Sequence, residues 1–160
     1  MEKKEWFDGI YKNSYPKVFR LCKGYFNDDA IAEDTTQDIF IRVWEHMESF
    51  RHESSVSTWI YRIAVNTCLL YLRKASTKKE IRIISLPDRE NEDFNSEREE
   101  QLAKMYSCIQ KLGETDKITI LMVLEGIGYK EIAEVVGISE DTLRVKIHRI
   151  KKNLTNCVQL

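Results

Sequence analysis

The chain has 160 residues, 42% hydrophobic and 10% aromatic, a composition that is globular rather than disordered and leaves room for one ordinary domain or two small ones. Its 25 Lys and Arg balance 26 Asp and Glu, and a formal charge of −1 excludes a surface given over wholly to nucleic acid. The segment MEKKEWFDG lacks the apolar core of a signal peptide, and no run approaches the ~18 apolar residues of a membrane span, so a cytoplasmic location is expected.

Residues 5–26 place Phe7, Ile10, Tyr11, Val18, Phe19, Cys22, Tyr25 and Phe26 largely on one helical face, and Pro16 is expected to kink or break the run. Asn27, Asp28 and Asp29 punctuate it. From Ala30 to Met47 a stripe of Ile31, Ala32, Ile39, Phe40, Val43, Trp44 and Met47 defines a second helix, with Glu33, Asp34, Gln37, Asp38 and Arg42 elsewhere around it. After the polar loop FRHESSVS, Ser57 is expected to cap a third helix reaching Lys74, with Trp59, Ile60, Ile63, Ala64, Thr67, Cys68 and Tyr71 able to pack inward. Residues 76–97 lose helical periodicity, contain Pro87 and are dense in charge, as a linker would be, and their IRIISL run can form a brief strand or dock on a neighbour. Two further helices follow over 98–112 and 115–125, with Leu102, Met105, Tyr106, Ile109 and Leu112, then Ile118, Leu121, Met122 and Leu124, on their apolar faces. With no convincing strand and no repeat, the expected class is all-α, in two small helical domains.

The stretch from Gly128 to Leu154, GYKEIAEVVGISEDTLRVKIHRIKKNL, reads as a helix-turn-helix. Ile132, Ala133 and Val136 make the apolar face of its first helix, Gly137 supplies a left-handed C-cap, and the small Ala133 and Gly137 admit a close crossing. Ser139 caps the second helix, Glu140 and Asp141 favour its positive end, and Leu143, Ile147, Ile150 and Leu154 form the inward stripe. The free face presents Asp141, Arg144, Val145, His148, Arg149 and Lys152, and the span 142–152 holds Arg144, Lys146, Arg149, Lys151 and Lys152 with no acid. A capped basic helix after a tight turn suits the major groove.

Residues 51–75 form a second basic stretch, with Arg51, Arg62, Arg73 and Lys74 against Glu53 alone. Aromatics stack on unpaired bases, Asn bonds a base edge and Arg or Lys neutralises phosphate, a set that suits capture of a flipped-out base. Trp59 and Tyr71 serve equally well as core residues, and Asp34, Gln37, Asp38, Arg42 and Trp44 suit either a partner's groove or a plain solvated face. Cys22, Cys68, Cys108 and Cys157 stand far apart with no CxxC and no His pair, so they are expected as core fillers in a reducing compartment rather than as a zinc site or a dense disulfide framework. Asp34 and Asp38 are paired carboxylates on one helix turn, but no His, Cys or phosphate loop converges with them, so neither an active site nor a cofactor is expected.

Three motifs in order resemble the extracytoplasmic-function (ECF) sigma factors of bacterial RNA polymerase: DAIAEDTTQDIFIRVWEHMESF and WIYRIAVNTCLLYLRK their region two, and GYKEIAEVVGISEDTLRVKIHRIKKNL their region four. The resemblance implies a region-two domain over 5–75, a linker over 76–97 and a region-four domain over 98–156. It implies that Asp34, Gln37, Asp38, Phe40, Arg42 and Trp44 bind core RNA polymerase. Phe50, Arg51, His52, Ser54, Trp59, Tyr61, Arg62, Asn66, Arg73 and Lys74 would then bind and melt the minus-ten promoter DNA, and Arg144, Val145, Lys146, His148, Arg149 and Lys152 would bind the minus-thirty-five element. It also implies an anti-sigma partner, with no small-molecule substrate and no membrane insertion. The chain departs from the family at Leu70, where Asp is usual, at Gly113, often Pro, and at Val145, often a small polar residue, so the preferred minus-thirty-five sequence is expected to be shifted. A stand-alone helix-turn-helix regulator, independent of polymerase, is the competing reading.

Overall fold

The computed structural model describes residues 2–77 and 96–159, with side chains described over 2–71 and 96–159, so most of the linker, its IRIISL run and the Arg73 and Lys74 side chains lie outside the described residues. Among the described residues there is no strand; the elements are α1 (Glu2–Phe26), α2 (Asp29–His46), a short 3-10 turn (Met47–Ser49), α3 (Val56–Thr77), α4 (Ser96–Gln110), α5 (Glu114–Leu124), α6 (Tyr129–Val136) and α7 (Glu140–Gln159).

Pro16 does not break α1, which runs through it. The proline removes one hydrogen-bond donor, and the buried stripe of Val18, Leu21, Cys22, Tyr25 and Phe26 that follows holds the helix on the core. Asn27, with φ 52, turns the chain, and Asp28 caps α2 by accepting from the Ile31 N–H at 2.9 Å. The cap of α3 is Ser55 rather than Ser57: its Oγ accepts from the Thr58 N–H at 3.0 Å. Either serine satisfies the sequence rule, and the turn after His52 brings Ser55 to the helix start first.

In the second half, α6 ends at Gly137, whose φ of 77 is the left-handed conformation that only glycine adopts without strain, and the N–H groups of Gly137 and Ile138 both donate to the Ala133 carbonyl. Ser139 Oγ accepts from the Thr142 N–H at 3.1 Å and so caps α7. Leu143, Ile147 and Ile150 are buried and Leu154 is half-buried, as their spacing requires. Leu102, Tyr106 and Leu124, expected inward, are exposed instead. α4 and α5 are narrower in their contacts than their apolar content implies, because Cys108, Ile109, Ile118, Leu121 and Met122 already fill the space beneath them.

The two halves share one continuous apolar core. α5 lies against α1 so closely that a Cβ on Gly24 would stand 2.7 Å from Leu121 Cδ2. The seam is polar at its edges: Gln110 donates to the Gly24 carbonyl at 2.6 Å, Lys117 Nζ to Gln110 Oε1 at 3.3 Å, and Arg20 grips both oxygens of the Glu125 carboxylate at 3.2 and 3.0 Å. Lys117 is buried with its ammonium 4.9 Å from the centre of the Tyr25 ring, and burial pushes its pKa down.

Cys22 and Cys68 are fully buried core fillers with sulfurs 3.8 Å apart. Cys108 and Cys157 correct the sequence expectation, because they form a disulfide between α4 and α7. Their 49-residue separation hid a pairing that the meeting of the two helices' C-terminal ends creates.

Replacing Gly137 by Val puts a β-branched residue where the backbone is left-handed. We expect a loss of about 1–2 kcal/mol or more, measured as a lower midpoint in urea unfolding followed by helical circular dichroism.

Candidate nucleic-acid interface

The turn from Gly137 to Ser139 sets α7 across α6, with Ala133 buried at the crossing. Sinking Leu143, Ile147 and Ile150 leaves the opposite face of α7 open. Val145 is 72% exposed, the most open large apolar side chain among the described residues, and His148, Arg149 and Lys152 are exposed on the same side. Val145 thus stands open amid cations on the face of α7 that core packing leaves free. Arg144 is exposed but bonded to Glu140 at 3.0 Å, one turn earlier. Arg149 and Lys146 both reach Asp116 in the first turn of α5, at 3.3 and 3.5 Å, and Lys146 is the less accessible of the two. Asp116 was absent from the sequence reading; an acid in a first helical turn reads locally as a dipole partner.

The loop after α2 gathers a second candidate surface. Phe50 lies 4.9 Å from the Trp59 ring, 4.5 Å from His52 and 6.2 Å from Trp6, centre to centre. His52 has φ 57, a left-handed conformation unusual for a side-chain-bearing residue and the kind of local strain found at binding loops. Arg51 and His52 are exposed, Ser54, Phe50 and Trp59 half-buried, and Asn66 exposed further along α3. Trp6 joins the cluster from the first turns of α1. A cleft of about 500 Å³ opens between α1 and α3 beside it, lined by Trp6, Asn13, Lys17 and Tyr61 among others.

Tyr61 and Arg62 depart from their expected availability. Tyr61 is 5% exposed, and burial, with the carboxylates of Glu125 and Glu131, pushes its hydroxyl up to about 12. Arg62 donates to the Glu134 carbonyl at 3.2 Å, and the Thr58 hydroxyl to the Glu131 carboxylate at 3.1 Å. In this docked arrangement α6 therefore lies on α3 and covers part of the face assigned to the minus-ten element.

On α2, Asp34, Gln37, Asp38 and Trp44 are exposed and Arg42 is half-buried. Phe40 does not reach the surface as a free side chain: it is 2% exposed, with Tyr11 edge-on at 5.1 Å and Tyr15 at 5.8 Å. It forms instead the floor of a groove of about 400 Å³ bordered by Phe7, Tyr11, Gln37, Ile41 and Trp44. Ile41 is 54% exposed at its rim, another open apolar residue that sequence periodicity does not single out.

Known proteins share this arrangement. The Sigma-70 region 2 family matches residues 10–78, and the Sigma-70, region 4 family matches residues 102–154. The ECF RNA polymerase sigma-E factor of Haemophilus influenzae is 32% identical, covering 98% of this chain and 89% of its own length. This chain belongs to the ECF sigma factors. The sigma-E factor of Escherichia coli K12 is also 32% identical, over 89% of this chain and 81% of the relative. In fold, this sigma factor is similar to the sigma factor RpoE of Bartonella quintana, solved with the anti-sigma factor NepR, at a TM-score of 0.79 and 18% identity over 96% of this chain and 97% of that one. It is similar too to CnrH, solved with the cytosolic domain of CnrY, at a TM-score of 0.73 and 18% identity over 98% of this chain and 89% of that one. Among the described residues no helix is long and apolar enough to cross a membrane, and no group of three or more His, Cys, Asp or Glu is placed to hold a metal ion.

Asp116 holds both Lys146 and Arg149, so its removal tests whether these cations meet duplex DNA. In Asp116→Asn, Arg149 and Lys146 lose their partner, and binding to duplex DNA is expected to tighten, with the log–log salt slope steeper by up to about one phosphate contact. Fluorescence anisotropy across a salt series reads both quantities, and an unchanged slope would mean that neither cation faces the duplex.

Proposed function

We propose that this chain binds core RNA polymerase, brings it to specific promoters and helps open the minus-ten region, contributing no catalytic group of its own. The observation that carries the reading is the coexistence, in one ECF sigma chain, of a capped helix-turn-helix with an open Val145–Arg149 face and a separate strained aromatic loop around Phe50 and His52. A duplex reader alone needs only the first.

In this reading the division of labour follows the exposure of the side chains. Asp34, Gln37, Asp38 and Trp44, with Arg42 at their edge, meet the polymerase, and the groove floored by Phe40 receives an apolar group from it. Phe50, Arg51, His52, Ser54 and Trp59, with Asn66 further along α3, take a melted strand by stacking and base-edge bonds. Arg73 and Lys74 belong to the same proposed set on sequence grounds. Arg144, Val145, His148, Arg149 and Lys152 enter the major groove, and Lys146 adds charge from behind them. An anti-sigma protein is the further partner.

The docked arrangement fits an idle sigma factor better than a working one. Promoter elements named for positions ten and thirty-five lie about 25 base pairs apart, on the order of 85 Å along B-form DNA. In the docked chain Thr58 of α3 and Glu131 of α6 are in hydrogen-bond contact. Promoter work therefore requires α6 to leave α3, freeing Arg62 and opening the way to Tyr61.

Run-off transcription with purified core polymerase across a pool of genomic fragments tests the function. Specific transcripts that depend on this chain are expected. Tight duplex binding by the chain alone, with no association with polymerase, would overturn the reading. Arg149→Ala is expected to lower promoter-specific transcript by about 5- to 100-fold, the worth of a bidentate contact to guanine, while leaving core polymerase affinity unchanged. Equal loss of polymerase binding in a folded Arg149→Ala protein would contradict the assigned division of labour.

A further inference from the structure

The disulfide between Cys108 and Cys157 lies outside every role assigned above. Each cysteine stands two residues before the end of its helix, Cys108 in α4 and Cys157 in α7, with Cα atoms 6.0 Å apart. The bond closes a loop of 49 residues' separation that encloses α5, α6 and almost all of α7, and so the whole helix-turn-helix. Cys108 is buried and Cys157 half-buried, which leaves the Cys157 sulfur as the one that an outside thiol or disulfide can reach. The other two cysteines offer no such access. Cys22 and Cys68 are both fully buried, and contact with Cys22 together with burial holds the Cys68 thiol well above the ordinary cysteine range.

We propose that Cys108 and Cys157 are a reversible thiol–disulfide site, a redox staple that small-molecule disulfides close and small thiols open, and that closing it fixes the promoter-reading helix α7 onto α4. Closure proceeds by exchange. The Cys157 thiolate attacks one sulfur of oxidised glutathione and expels a glutathione thiolate, leaving a mixed disulfide. The Cys108 thiolate then attacks the Cys157 sulfur and expels the second glutathione. The two protein sulfurs lose two electrons, the glutathione disulfide gains them, and the two protein thiol protons end on the two glutathione thiols.

The position of the pair sets its character. Both sulfurs sit at helix C-termini, where the negative end of the macrodipole disfavours a thiolate, so the open dithiol gains none of the thiolate stabilisation that makes a disulfide strongly oxidising. The closed form is accordingly a durable staple rather than a donor of disulfides to other proteins. Its effect on the fold is large because the loop is long: cross-linking residues this far apart removes much of the freedom of the unfolded module. The final turn of α7 carries no basic residue among its last four, and beside Cys157 the partly buried side chains described at that end are Leu154 and Val158.

The consequence for promoters rests on the reading of α7 given above, whereas the thiol chemistry does not. The full chain is equilibrated in glutathione buffers from fully reduced to fully oxidised, alkylated, and mapped by mass spectrometry, with thermal unfolding followed in parallel. A Cys108–Cys157 linked peptide is expected to appear as the buffer is oxidised, with Cys22 and Cys68 remaining thiols that alkylate only after denaturation. The unfolding midpoint is expected to rise by roughly 10 °C on closure, and Cys157→Ser and Cys108→Ser each to abolish that rise. Absence of the linked peptide even in fully oxidised glutathione, or a rise that survives in Cys157→Ser, would overturn the proposal. Holoenzyme run-off transcription after a heat challenge that unfolds only the reduced chain reads the functional half: more transcript from the closed form supports it, and equal transcript overturns it. Failure to transcribe in either state, with the linked peptide formed, would count against the sigma reading and leave the staple standing.

Discussion

The seam between the first three helices and the last four governs what the rest of the molecule can do. Gly24 lets α5 approach α1 until Leu121 fills the place of a missing side chain, and from there α6 is carried onto α3. The contact is apolar at its centre but interrupted by groups that gain little from being there. Arg20 and Glu125 pair in good geometry, yet Arg20 is more than half exposed, and such a pair contributes at most about 1 kcal/mol. Lys117 is buried with a depressed pKa, so the closed seam disfavours its charged form and separation relieves it. An interface built this way holds two modules together without making them inseparable, the ordinary condition of domains that move apart to work.

On both surfaces proposed to face DNA, cations are engaged with the protein's own groups, and one of these contacts crosses the closed seam. Arg62 bonds a backbone carbonyl of α6, Arg144 an acid on its own helix, and Arg149 shares Asp116 with Lys146. None of these partners is deeply buried with its cation, so none fixes the arginine against a better acceptor. A phosphate or a guanine edge offers a stronger, bidentate alternative. With a net charge of −1 there is little long-range attraction for DNA, which leaves the proposed recognition to these local exchanges once the chain has brought polymerase to a promoter.

What was legible in the sequence was what neighbours along the chain decide. Gly137, Ser139 and the Leu143, Ile147, Ile150 stripe were readable because a cap, a left-handed turn and a 3.6-residue period are set within a few residues. The all-α class followed from the same periodicities, and the sigma-factor family from three motifs in order. Residues whose state depends on the distant half of the chain were not readable. Tyr61 has the composition of an exposed reader and is covered by α6; Phe40 has the position of a contact residue and is a floor; Trp6 joins Phe50 across 44 positions. Leu102, Tyr106 and Leu124 carry the helical period of core residues but stay exposed among the described residues, since a stripe tells which side faces inward and not how far the neighbouring helix extends.

The cysteines take this distinction one step further. All four were read by a rule about spacing along the chain, and the rule worked for Cys22 and Cys68, where the buried environment is what makes a thiol a core filler. It failed for Cys108 and Cys157 because pairing is a property of two helix ends meeting in space. The same meeting gives the bond its leverage: a tether at the C-terminal ends of α4 and α7 leaves Val145 and Arg149 untouched while holding that end of α7 to the module. On the proposed reading, sequence preference and persistence of α7 reside in different residues of one element, the first on its open face and the second at its anchored end.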